Sequence, residues 1–103
     1  MNLKNIGQMV KQAQQLQAQM GEIDEKLKSA RFEASAGGGA VEATVDGRQR
    51  LVGLKIKPES LESGDAELLE DLILAAVHEA QARAEENVKQ LLGPLAGGMK
   101  LPF

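Results

Sequence analysis

The residue types that most often bind metals are scarce in this sequence. His78 is the single histidine, and there is no cysteine. A protein metal site needs several ligands, and Glu79, the neighbour of His78 in the chain, would face another side of a helix. We therefore predict no metal site and no cofactor, with His78 structural or facing solvent.

A catalytic nucleophile is equally hard to find. None of the candidate serines lies in a strand-turn-helix elbow or beside an evident base; they are Ser29, Ser35, Ser60 and Ser63. The glycine triplet 37–39 is not a phosphate-binding loop, because neither a Lys-Ser pair nor a helix start follows it. We predict no catalytic residue, and an enzyme is the least favoured class.

The remaining candidate chemistry is binding of phosphate groups. Residues 1–21 contain two lysines and no acid, and KQAQQLQAQM, residues 11–20, is rich in glutamine. On a helix, Lys4 and Lys11 share one face, with Gln8 and Gln15 beside them. Ammonium and amide groups donate to phosphate oxygens, whereas carboxylates would repel them. The alternative interpretation is a solvated face made of good helix formers.

Charge is unevenly distributed along the chain. The formal net charge is −3, but residues 59–86 hold nine acids and one base, so this one block accounts for the acidity. Residues 87–103 contain two lysines and no acid, so both ends of the chain are basic. From this distribution the candidate DNA-contacting residues are Lys4, Lys11, Gln15, Lys26, Lys28, Lys89 and Lys100.

A long amphipathic helix, from about residue 3 to about residue 29, must carry the first of these residues. Its apolar positions are separated alternately by three and four residues, which is the heptad pattern of a helix that packs on another helix. The seam comprises Ile6, Met9, Ala13, Leu16, Met20, Ile23, Leu27 and Ala30. At about 40 Å the helix is longer than a globule of this size needs, so part of it protrudes or a second subunit covers it.

Three short antiparallel strands follow, at about 31–36, 40–46 and 50–57. Apolar residues alternate with polar or smaller ones, and the glycine triplet and Asp46-Gly47 supply two hairpin turns through residues that tolerate positive φ. Val52, Leu54 and Ile56 are expected on one face of the sheet. The residues expected to pack arms or a dimer are Ile6, Met9, Leu16, Met20, Ile23, Val52, Leu54 and Leu72.

A second long helix is predicted at about 65–92, after a single turn that begins at Pro58. Ser63 or Asp65 is the expected N-cap, and the small residues from Ala75 to Ala84 are expected to allow close helix approach. Gly93-Pro94 is expected to end this helix and to leave a flexible tail, 93–103. The predicted fold is α+β, in the order α-β-β-β-α, as one domain spanning residues 1–103.

The chain is not expected to enter or cross a membrane. Its first residues lack the apolar stretch of a signal peptide, and no apolar run approaches the length of a membrane span. A cytoplasmic location is the expectation. Because a chain of 103 residues buries a modest fraction of its surface, dimerisation would help to stabilise it.

Five segments, in order, resemble the YbaB/EbfC family of bacterial nucleoid-associated proteins. They are MVKQAQQLQ (9–17), VEATVDG (41–47), IKP (56–58), LEDLILAAV (69–77) and GMKLPF (98–103). The resemblance covers nearly the whole chain. One departure is Lys57, which precedes Pro58 where the family often has an acidic residue.

The resemblance implies a homodimer shaped like tweezers, with a central sheet and helices as arms. It also implies binding to double-stranded DNA with little sequence preference, association with the nucleoid and effects on gene expression. The lysine and glutamine face would then meet the DNA backbone. The alternative from the residues alone is a protein-interaction module, in which the acidic second helix or the apolar seam docks a replication or recombination protein.

Overall fold

The computed structural model describes residues 3–96, with all their side chains except those of Lys4 and residues 94–96. Its three strands form one antiparallel sheet in the order β1-β2-β3. The elements are α1 (Leu3–Ser29), β1 (Phe32–Ala36), β2 (Val41–Val45), β3 (Leu51–Ile56), α2 (Pro58–Glu62) and α3 (Ala66–Ala96). The predicted α+β class and the order of the long elements are confirmed, and α2 is the turn predicted at Pro58.

The core lies between one face of the sheet and α3. Val41, Val45 and the cross-strand neighbours Ala34 and Ala43 face the helix. Ala76, Ala80 and Ala84 are each 0% exposed. A spacing of four residues places these three alanines on one stripe, and their small side chains let the helix approach the sheet closely. The small residues that were predicted to allow close helix approach therefore let α3 approach the sheet.

The two ends of α3 depart differently from the prediction. At its start Asp65 is the N-cap, because its Oδ1 accepts a hydrogen bond from the Leu68 N–H at 3.0 Å. At its other end the helix continues through Gly93-Pro94 to Ala96, so the prediction that this pair ends it is wrong. A proline removes one intrahelical donor and its ring crowds the carbonyl of the residue four positions earlier, and here the helix ends two residues beyond Pro94. The rest of the predicted tail, residues 97–103, lies outside the described residues.

The two hairpin turns use glycine for different reasons. Gly37, Gly38 and Gly39 all have positive φ, as predicted. Gly47 does not, and in its turn Gln49 takes the left-handed conformation with φ 67°. The predicted role of Gly47 in providing positive φ is therefore wrong. A Cβ on Gly47 would lie 2.8 Å from the Leu27 Cα, so this glycine is required for a close approach of two backbones.

The molecule is strongly elongated because α1 extends away from the sheet. Its principal dimensions are 73 × 24 × 17 Å, and its radius of gyration is 20.4 Å. A globule of this length would have a radius of gyration near 13 Å. No element of the described chain packs extensively against α1. Between residues 3 and 96 no helix is both long and apolar enough to cross a bilayer.

Candidate nucleic-acid interface

The acid-free face of α1 is built from residues spaced by three or four positions. Lys4, Gln8, Lys11 and Gln15 fall within about 60° of one another around the helix, given about 100° per residue. Gln8, Lys11 and Gln15 are exposed, while the side chain of Lys4 is outside the described set. The first turn carries no acid. We call these four residues the lysine-glutamine face.

The lysine-glutamine face ends where acidic residues begin. Glu22 lies at the same angle around the helix as Lys4, so the acid-free stretch stops before it. Lys26 returns to this side of α1 about 22 Å further along the helix from Lys11. Both Glu22 and Lys26 are exposed. A straight anionic ligand that contacts Lys11 and Lys26 together would also pass close to Glu22.

Two of the other predicted lysines lie beside carboxylates. Lys28 Nζ is 3.4 Å from Asp24 Oδ2 and 3.7 Å from a Glu25 carboxylate oxygen. Lys89, on the C-terminal half of α3, lies 3.8 Å from Glu85. These pairs are exposed and therefore weak, but they reduce the positive potential around each lysine.

The predicted lysines differ in the charge that surrounds them. Lys28 and Lys89 lie beside carboxylates, and Lys100 lies outside the described residues. Lys11, with Lys4 on the same side of the helix, belongs to the part of α1 that carries no acid.

The residues predicted to pack arms or a dimer differ in how far the single chain covers them. The exposed ones leave an uncovered apolar seam on α1 and an uncovered apolar strip on β3; they are Ile6, Met9, Leu16, Met20, Val52 and Leu54. Ile23 is half-buried, and it lines an apolar groove of about 340 Å³ with Met20, Leu27 and Leu92. Leu72 instead packs against the core of its own chain.

The residues that attach α1 to the sheet were not predicted from the sequence. The Gly47 N–H donates to the Leu27 carbonyl at 2.8 Å, and the Arg48 guanidinium forms an ion pair with Asp24. Asp46-Gly47 was recognisable as a turn, but no local spacing indicates that this turn would meet a helix about twenty residues earlier. These contacts join the C-terminal end of α1, the helix that carries the lysine-glutamine face, to the turn between β2 and β3.

The residues considered for catalysis or metal binding do not converge in the described part of the chain. His78 is exposed on α3. The Ser29 hydroxyl donates to the Glu25 carbonyl at 2.9 Å, within its own helix. Within residues 3–96 no three acidic, histidine or cysteine side chains are grouped so as to hold a metal ion.

Exposed lysines and amides on a helix surface without acids can donate hydrogen bonds to the phosphate oxygens of a nucleic-acid backbone. A small α+β protein with this surface fits the nucleic-acid-binding class. The chain belongs to the YbaB/EbfC DNA-binding family, whose sequence model matches residues 1–99.

Relatives in several bacteria match the chain over nearly its whole length. A nucleoid-associated protein of Pelotomaculum thermopropionicum is 43% identical over 98 residues, covering 95% of this chain and 93% of its own. One from Rhodospirillum rubrum is 43% identical over 100 residues, with coverages of 97% and 94%. One from Clostridium perfringens is 46% identical over 98 residues, with coverages of 95% and 88%.

A solved structure has the same fold. The crystal structure of an uncharacterized protein from Helicobacter pylori superposes with a TM-score of 0.74 at 25% sequence identity. The alignment covers 92% of this chain and 97% of the other. The arrangement of a projecting helix, a three-stranded sheet and a second long helix is therefore shared with an experimentally determined protein.

Proposed function

We propose that this protein binds duplex DNA in the nucleoid as a homodimer, through the lysine-glutamine face of α1, with little sequence preference. In this proposal the protein organises the nucleoid and influences gene expression without catalysing a reaction. Membership of a DNA-binding family and similarity to relatives named nucleoid-associated proteins support the DNA-binding part.

The observation that carries the proposal is the combination of charge and exposure on α1. Lys11 and Gln15 stand on a helix that extends away from the acidic body of the protein. The described helix carries no acid before Glu22. The backbone of DNA is a regular array of negative charge, and lysine contacts to it contribute affinity without reading sequence.

Dimerisation is supported by the apolar surface that the single chain leaves uncovered. Met20 is 61% exposed and Leu16 is 57% exposed on the seam of α1. Leu51, Val52 and Leu54 are exposed on β3, which is an edge strand. A run of apolar side chains on one helix face is stable in water when a second helix covers it. A second copy of the chain would cover the seam and double the number of lysines that one DNA duplex meets.

Sedimentation velocity tests the dimer. Leu16→Asp places a charge in the seam and should shift the protein toward monomer at micromolar concentration. Gln8→Asp adds the same charge on the lysine-glutamine face, outside the seam, and should leave the dimer intact. A dimer that survives Leu16→Asp unchanged would argue against the seam as the interface.

A fluorescence-anisotropy titration tests DNA binding. Labelled duplexes of several unrelated sequences should bind the wild-type protein with similar affinity at low salt. Lys4→Glu/Lys11→Glu should abolish this binding, whereas Lys55→Glu, a change at an exposed position on the sheet, should weaken it much less. Absence of wild-type binding even at low salt would refute the proposed function.

The second candidate function is protein interaction through the N-terminal half of α3. Glu67, Glu70 and Asp71 are exposed, and none of them forms an ion pair within the described residues. Leu68 beside them is half exposed. A basic surface on a replication or recombination protein would fit this face. Neutralising the three acids should then abolish the protein complex and leave DNA affinity unchanged or higher.

A further inference from the structure

The C-terminal end of α1 is held by the turn between β2 and β3. A helix leaves its last carbonyls without intrahelical donors, and these carbonyls need other partners. Here the Leu27 carbonyl accepts the Gly47 N–H at 2.8 Å. The Lys28 carbonyl accepts from the Arg31 guanidinium at 2.8 Å. One of the two carbonyls is therefore satisfied by a distant segment of the chain, which couples α1 to the sheet.

This contact has no room for a side chain on Gly47. A Cβ there would lie 2.8 Å from both the Cα and the carbonyl oxygen of Leu27, and 2.9 Å from its Cδ2. Because the obstruction is mainly helix backbone, a rotamer change cannot relieve it. Any larger residue at position 47 must move the end of α1 away from the turn.

A second contact lies about one helical turn from the first. The Arg48 guanidinium forms an ion pair with Asp24, a carboxylate that Lys28 also approaches. Asp24 and Leu27 are three residues apart and therefore lie on the same side of α1. Two contacts separated along the helix fix its direction better than one contact could.

The turn itself is fastened to the body of the protein. Asp46 is buried, and its Oδ1 accepts hydrogen bonds from the N–H groups of Arg48 and Arg50, both at 2.9 Å. The Gln81 side-chain amide of α3 donates to the Gln49 carbonyl at 3.2 Å. The chain of contacts thus runs from α1 through the turn to both the sheet and α3. We call residues 46–50, with Asp24 and Leu27, the arm joint.

A small rotation at the arm joint is amplified along α1. Lys11 lies sixteen residues from Leu27, or about 24 Å along the helix axis. A tilt of about 10° would move Lys11 by about 4 Å, which exceeds the length of a hydrogen bond to a phosphate. The described side chains from residue 3 to residue 22 are all exposed, so little else in the same chain restrains the arm.

We infer that the arm joint sets the direction of α1, and that Gly47 and Arg48 are positioning residues for DNA contact. Only the second part of this inference, the role of Gly47 and Arg48 in DNA contact, rests on the proposed function. The direction of α1 is a property of the free protein and can be measured without DNA.

Distance measurement between two spin labels tests the first part. The sequence has no cysteine, so Gln12→Cys on α1 and Glu33→Cys on β1 can be labelled without removing native thiols. Labelled protein diluted with unlabelled protein isolates the distance within one chain. Gly47→Ala should shift this distance by several ångströms. Gly93→Ala on α3 should not shift it, because no atom lies within 4 Å of a Cβ at that position and its φ is not positive. An unchanged distance in Gly47→Ala overturns the inference, whether or not the protein binds DNA.

The ion pair between Arg48 and Asp24 supplies a second test. It separates an effect on the position of α1 from a direct effect of charge on DNA binding. Asp24→Asn and Arg48→Gln break the same pair but change the net charge in opposite directions. If the ion pair positions α1, both variants should weaken DNA binding and broaden the spin-label distance distribution. The DNA affinity of both variants should also depend less steeply on salt, because fewer lysines reach phosphates together.

If charge alone mattered, Asp24→Asn would bind DNA more tightly and Arg48→Gln less tightly. That pair of opposite results would overturn the positioning role. These milder variants also decide the question if Gly47→Ala does not fold. If wild-type protein binds no DNA, the proposed function fails, while the distance measurement still decides whether the arm joint sets the direction of α1.

Discussion

Replacing Lys11 with glutamine should change how steeply DNA affinity falls with salt. The acid-free part of α1 offers two lysines per chain, Lys4 and Lys11, and a dimer offers four. Each neutralised phosphate contributes about −0.9 to the slope of log K against log salt, so the expected slope is about −3.6. Affinity should therefore fall about 150-fold between about 50 and 200 mM salt.

Lys11→Gln leaves two lysines per dimer, which predicts a slope of about −1.8 and a fall of only about 12-fold over the same range. The assay is an anisotropy titration of one short duplex at four or more salt concentrations. Lys55→Gln removes the same charge from the exposed face of β3 and is the matched control, with a slope expected near the wild-type value. A Lys11→Gln slope equal to that of wild type would refute the assignment of Lys11 to the DNA contact, even if overall affinity fell.

Two further predictions concern the fold that supports α1. Asp65→Ala removes the N-cap of α3 and should lower the free energy of unfolding by about 1 kcal/mol in urea denaturation at fixed protein concentration; an unchanged midpoint would mean that the cap contributes nothing. Ala80→Leu inserts a larger side chain between α3 and the sheet, where Ala80 is 0% exposed, and should cost about 1–3 kcal/mol. The same change at the exposed Ala82 should cost little, and equal effects at the two positions would contradict the described packing.

Local periodicity predicted the elements of this fold well, because the pattern that specifies each element lies within that element. The heptad spacing of α1 gave its limits, Leu3–Ser29, as the structure has them. The strands were predicted within one residue at each end, since alternation and turn residues mark them. The end of α3 was missed because Gly93-Pro94 is a strong stop signal on average, whereas here the helix ends two residues beyond the proline.

Contacts between distant segments could not be read from spacing. The meeting of Asp24 with Arg48, and of Leu27 with Gly47, depends on how α1 packs against a turn that follows two strands later. Leu72 illustrates the same limit. Its position on an apolar stripe was evident, but the stripe alone does not tell whether it covers its own sheet or a second subunit.

The candidate interface was predictable only in those features that depend on residues close together in the sequence. The lysine-glutamine face follows from helix geometry and charge, which are local. The carboxylates beside Lys28 and Lys89 were also visible in the sequence, since Asp24 and Glu85 precede them by four residues. The direction in which the face points was not predictable, because the arm joint sets it.

Site-directed photo-crosslinking can show which side of α1 contacts DNA. A short photoreactive group on Gln15→Cys lies on the lysine-glutamine face, and the same group on Gln17→Cys lies about 200° around the same helix. Both glutamines are exposed in the single chain, so the two variants are matched in residue type and in helix. DNA contact through the lysine-glutamine face predicts efficient crosslinking to a random duplex from position 15 and little from position 17. Equal yields, or a higher yield from position 17, would contradict it.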